Sequence, residues 1–94
     1  MDIKKWMDFF HDIDKDSRIS VWHWALIMAI FRLANLQKKN KVIRVSRSKL
    51  MKLSHINTIP TYHKYFKELQ DFGYITYKPS YHPDFRSTVT LNTL

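Results

Sequence analysis

The stretch SRSKLMKLSHINTIPTYHKYFKELQDFGYITY, residues 46–77, holds two short amphipathic patterns joined by a tight connection and followed by strand-forming residues. The second pattern carries most of the weight. Thr58 stands where it can N-cap a helix, Pro60 falls in the first turn, where a missing N–H is harmless, and Gly73 stands where a helix ends. Between these limits Tyr62, Tyr65, Phe66, Leu69 and Phe72 recur at spacings of three and four, which predicts one buried stripe. Thr61, His63, Lys64, Lys67, Glu68 and Asp71 fall on the opposite face, with hydrogen-bond donors early and acids late. Upstream, Leu50, Met51 and Leu53 predict a shorter helix that Ser46 can cap, and Ser54 to Asn57 form the connection. That spacing suits a helix-turn-helix, although the usual turn glycine is absent.

Outward from this stretch, Tyr74 to Tyr77 favour a strand, Lys78 to Arg86 contain Pro79 and Pro83, and Ser87 to Leu91 alternate Thr88 and Thr90 outward with Val89 and Leu91 inward. These segments predict a hairpin. Val42 to Val45 predict one more short strand, after the polar, basic connection Gln37 to Lys41. Residues 2–13 place Ile3, Trp6, Phe10 and Ile13 on one side of a helix, with Met7 and Phe9 widening the stripe. Ser20 then caps a longer helix reaching to about Leu36 that is apolar on nearly every side. The predicted order is α-α-β-α-α-β-β, an α+β fold that is mainly α, forming a single domain over 1–94. It divides into an amino-terminal helix and turn (1–16), the two-helix motif (46–73) and the hairpin (74–91). Two fates are open to the first helix: packing on its own domain, or exchange with a second copy to form a homodimer through the amino-terminal helices. Three tryptophans near the amino end, Trp6, Trp22 and Trp24, incline the reading toward the dimer.

Charge is unevenly spread. The net charge is +8, yet in residues 1–16 Lys4, Lys5 and Lys15 stand against Asp2, Asp8, Asp12, Asp14 and Asp16, giving −2 and leaving +10 on residues 17–94. Such an excess around a helix-turn-helix pattern is what a surface that displaces counterions from phosphate requires. The absence of cysteine removes disulfides and thiolate metal sites and fits a reducing cytoplasm. The amino terminus, MDIKKWMDFF, lacks the features of a secretory signal. The longest apolar run, Val21 to Phe31, is interrupted by His23 and falls well short of the roughly twenty residues a bilayer needs. A soluble, cytoplasmic, nucleoid-associated protein is expected.

Catalytic and metal chemistry find little support. Asp12, Asp14 and Asp16 imitate the start of a calcium loop, but Ser17 replaces the turn glycine and His23 the closing glutamate, so a solvated turn before the Ser20 cap is the better account. His11, His23, His55, His63 and His82 form no HxxxH pair and read as surface or helix-face residues. Glu68 and Asp71 are expected to balance Lys64 and Lys67 at spacing i, i+4. With one glycine there is no phosphate-cradling loop, and neither an enzyme, a metal nor a cofactor is expected.

The segment TYHKYFKELQDFGYI, residues 61–75, resembles the recognition helix of the winged-helix superfamily of bacterial DNA-binding regulators, with its apolar anchors, glycine and apolar strand start. The resemblance extends over roughly the last seventy residues. The whole chain resembles small winged-helix proteins of Bacteroidetes genomes and their mobile elements. The resemblance implies that the helix from Thr58 enters the major groove of double-stranded DNA and that the hairpin lies over the flanking minor groove as a wing. Phosphate contacts are expected from Arg47, Lys49, Lys64, Lys67, Lys78 and Arg86, and base reading from Asn57, Thr58, Thr61 and His63. The expected role is that of a transcription regulator or accessory factor of a mobile element. A protein-interaction module docking through its Trp-rich amino-terminal surface is the rival expectation.

Overall fold

A computed structural model describes residues 2–39, 41–82 and 86–92. Its elements are α1 (Ile3–Asp14), α2 (Val21–Gln37), β1 (Val42–Val45), α3 (Arg47–Ser54), α4 (Ile59–Asp71), β2 (Ile75–Lys78) and β3 (Ser87–Leu91). The order is the expected one. Pro83 and Asp84, in the connection between β2 and β3, lie outside the described residues. The architecture is α+β and mainly helical, compatible with a winged-helix layout.

Each helix starts where a side chain can take an orphan N–H. Asp2 accepts the Lys5 N–H at 3.2 Å to open α1, and Ser46 accepts the Lys49 N–H at 3.3 Å to open α3. Ser20 opens α2 in a capping box in which His23 stands in for the customary Glu or Gln, its Nδ1 accepting the Ser20 N–H at 2.8 Å. Thr58 holds the cap position of α4 without a side-chain cap bond; its hydroxyl donates instead to Thr61 Oγ1 at 2.8 Å. Chain reversal after α3 is made by His55 at φ +60°, the left-handed conformation that the missing glycine would supply. A non-glycine residue there costs about 1–2 kcal/mol. The Ile56 N–H bonded to Met51 O, and the burial of Ile56 in the core, offset it. Gly73, at φ +86°, makes the corresponding reversal between α4 and β2.

The three strands form an antiparallel sheet in the order β1-β3-β2, with Val42 opposite Thr90 and Ile75 opposite Leu91. Ile43, Val45, Ile75, Val89 and Leu91 turn inward onto α2 and α4, and join Leu26, Ile30, Leu50, Phe66 and Leu69 in one hydrophobic cluster. The outer edge of β1 is closed by a side chain rather than a strand. The Gln37 carboxamide accepts the Arg44 N–H at 2.9 Å and donates to the Arg44 carbonyl at 2.8 Å, which blunts an edge otherwise open to strand addition.

The first helix packs in cis. Trp6, Phe9 and Ile13 are buried, Trp6 at 1% exposure, with the Trp6 ring edge-on to Phe31 at 4.8 Å and Phe10 against both Phe31 and Trp24. The face offered for exchange is thus filled by α2 of the same chain. The expected stripe also shifts, because Phe9 is buried while Ile3 and Met7 are each 58% exposed. Met7 lies about 100° round the helix from Trp6 and so falls on the outer flank.

Candidate nucleic-acid interface

Helix α4 presents the face that the periodicity predicts. Tyr62, Phe66 and Leu69 are buried, Tyr65 and Phe72 are half-buried, and His63, Lys64 and Lys67 are exposed. Where α4 passes the first turn of α3 and strand β2, a groove of about 500 Å³ opens. Arg47 and Ser48 line it from α3, His63 and Lys67 from α4, and Tyr77 from β2, so residues far apart in sequence converge there. Tyr62 forms part of its floor at 4% exposure. Burial first, and the neighbouring Tyr77 second, push the Tyr62 phenol up to about 12, while Arg47 opposes the shift. The hydroxyl therefore stays protonated at neutral pH and can donate into the groove.

The ten expected contact residues do not form one cluster. Arg47, His63 and Lys67 share the α4 groove, and Lys64 sits one turn before Glu68 with its ammonium 5.1 Å from the Tyr65 ring. Asn57 and Thr58 are exposed at the start of α4, with Thr61 half-buried and bonded to Thr58. Lys49 and Arg86 lie elsewhere. They line a separate groove of about 200 Å³ with Arg44, Leu33 and Leu36, between the end of α2, β1 and β3. Lys78 is exposed at the end of β2. Ile59, not among the expected contacts, is also exposed at the start of α4, where it offers a methyl contact of the kind thymine accepts.

The acids of α4 divide in a way that local spacing cannot reveal. Lys67 does pair with Asp71 at 2.9 Å. Glu68, however, turns away from Lys64 and accepts from His23 Nε2 at 2.8 Å, across 45 residues of sequence. His23, expected on the surface or on a helix face, lies on α2 and is 2% exposed. Because its Nδ1 takes the Ser20 N–H, the ring donates from Nε2, which defines the neutral tautomer. This half-buried bridge ties the start of α2 to the middle of α4 and orients the α4 face.

A second node sits at the α1–α2 turn. The Asp16 carboxylate takes the Arg18 guanidinium at 3.0 and 2.7 Å, the Arg18 N–H at 2.9 Å and the Tyr74 hydroxyl at 2.6 Å. Arg18, then Tyr74, hold this carboxyl well below the usual carboxylate range. The Arg18 guanidinium also lies 4.2 Å over the Phe72 ring. Asp16 is therefore committed to protein donors rather than to an ion, and among the described residues no group of three or more His, Cys, Asp or Glu could hold a metal. No described helix is long and apolar enough to cross a membrane. No family model, curated protein or solved structure matches the chain.

Proposed function

We propose that the protein binds double-stranded DNA through α4 and the first turn of α3, in the manner of a winged helix whose wing is the β2–β3 hairpin. One observation carries the reading: Arg47, His63 and Lys67, from two helices, converge on a single groove beside the exposed cation Lys64. A helix with donors in its first half and apolar anchors behind it can seat in a major groove while Arg47 holds the flanking backbone. Asn57, Thr58, Thr61 and His63 then face base edges, and Ile59 a thymine methyl. Such a protein acts as a transcription regulator or an accessory factor of a mobile element, in the cytoplasm. Pairing of two copies remains part of the proposal, with the contact on the outward stripe of Ile3 and Met7 instead of the buried face of α1.

The test is the salt dependence of duplex binding. Arg47, Lys64 and Lys67 neutralising three phosphates give a log–log slope of about −3. In the double variant R47A/K64A the slope flattens by about 2. A slope that does not move in this variant would remove the α4 face from the interface.

One observation favours a protein partner instead. Trp22 is 42% exposed and stacks on Tyr65 at 6.1 Å, beside the exposed Val21. Trp6 and Phe9, the other candidates for such a surface, are inside. Salt-insensitive capture of a protein, joined to no binding of random duplex at low salt, would make this the better account.

A further inference from the structure

The residues that the α4 groove leaves out form a surface of their own. The groove holding Lys49 and Arg86 and a neighbouring depression of about 810 Å³ share Gln37 and Arg44, so the two are continuous. Together they gather Lys38, Lys39, Lys41, Arg44, Lys49 and Arg86, and among the described residues no carboxylate lines either. None of these six takes part in an ion pair among the described residues, whereas Lys67 in the α4 groove is tied to Asp71. The sheet extends the surface. Its registers place Arg44, Thr88 and Lys78 in one outward row and Val42, Thr90 and Thr76 in the next, so Thr88 lies between two cations. With strands about 4.8 Å apart, the backbones of Arg44 and Lys78 are separated by about 10 Å.

Ammonium and guanidinium groups only donate, and the Thr88 hydroxyl between them can donate, so the matching partner is an acceptor with repeated negative charge. A phosphodiester backbone has that chemistry, and contacts of this kind carry no sequence information. Arg47 and Lys49 stand two positions apart on α3 and therefore project about 200° apart around it. Among the described residues the α4 groove and this surface share no lining residue. We propose that the surface formed by the end of α2, β1 and the outer sheet face binds a second duplex segment through its phosphates, so that one chain bridges two segments of DNA. The proposal rests on the α4 reading for the first segment.

The test uses the full chain, a bead-anchored duplex at saturation and a labelled free duplex of unrelated sequence. Wild-type protein retains the labelled duplex on the beads. The variant K39Q/K41Q/R44Q, whose side chains are exposed and whose loss spares the Gln37 bonds to the Arg44 backbone, lowers that retention about tenfold or more, while binding of a single duplex in solution falls less than about threefold. Unchanged thermal melting confirms that the variant folds. Equal retention by the triple variant overturns the proposal, as does a complex that never holds more than one duplex. Displacement of the labelled duplex by poly-glutamate at equal charge reassigns the surface to an acidic peptide and likewise overturns it. Failure of the α4 reading looks different: R47A/K64A then binds a single duplex as tightly as wild type.

Discussion

The two ends of the molecule treat their charges in opposite ways. At the α1 end, Asp16 is held by Arg18 and Tyr74, Lys4 pairs with Asp8, and an aromatic cluster of Trp6, Phe9, Phe10 and Phe31 fills the space between α1 and α2. At the α3 and β1 end, Arg44, Arg47, Lys49 and Arg86 stand without an ion pair among the described residues. Charges gathered without partners raise the energy of the folded chain, since like charges repel. The α1 end therefore bears on stability, and the basic end on association. Mutations should separate accordingly.

The largest effect is expected at Trp6. Its removal as Trp6→Ala empties a fully enclosed site between Phe9, Phe10 and Phe31 and destabilises the fold by about 3–5 kcal/mol in chemical denaturation. Trp6 Nε1 is buried without a partner among the described residues, so Trp6→Phe, which removes that unsatisfied donor, loses distinctly less. Equal losses in the two variants would mean that the indole N–H is satisfied, and would weaken the view of this end as a purely apolar anchor.

His23 comes next. His23→Ala strips the Ser20 N–H of its acceptor and leaves the Glu68 carboxylate without its partner, for a loss of about 1–3 kcal/mol. Because Glu68 belongs to α4, this substitution also probes the link between the two ends. Duplex affinity at matched folded fraction should fall along with stability. Retention of full affinity by a destabilised variant would show that the α4 face orients itself without the bridge.

Much of this architecture could be read in the sequence because it depends on local rules. The stripe of Tyr62, Phe66 and Leu69, the caps at Ser20 and Ser46 and the alternation of Val89 and Leu91 need only spacing and residue type. Partners separated by long stretches of chain could not be read in this way. Glu68 has Lys64 at the favourable local spacing, yet a buried imidazole is the stronger claimant once α2 packs on α4. The division of the ten expected contact residues was likewise invisible, since Arg47 and Lys49 differ by two positions, and only the fold shows that they line different grooves on either side of α3. His55 hid in another way: the turn lacked glycine because a histidine adopts the left-handed conformation in its place.

Acid should weaken the α1 end. The Asp16 carboxyl is held well below the usual range, first by Arg18 and then by Tyr74, so the folded chain binds this proton less readily than the unfolded chain does. Its stabilising effect is full above the unfolded value of about 4 and is lost as pH falls toward the lower folded value. Asp16→Asn lacks that dependence. Denaturation curves of wild type and variant should be offset at pH 7 and should converge below about pH 4. Parallel curves down to low pH would mean that Asp16 titrates normally and that the node with Arg18 and Tyr74 is slack.

The smallest effect on stability belongs to the residues proposed to matter most for binding. Arg47 and Lys64 are exposed and make no ion pair among the described residues, so R47A/K64A should shift unfolding by no more than about 0.5 kcal/mol. A slight gain is the more physical expectation, because two cations leave a surface that repels itself. Arg47 also opposes the upward shift of the Tyr62 phenol, so its removal should raise that titration further and deepen the alkaline loss of stability, whose onset stays at the unfolded value of about 10. The contrast between the two ends rests on this null. A clear destabilisation by R47A/K64A at neutral pH would show that the groove at α3 and α4 is held together by its cations, and the separation of anchoring from association would have to be abandoned.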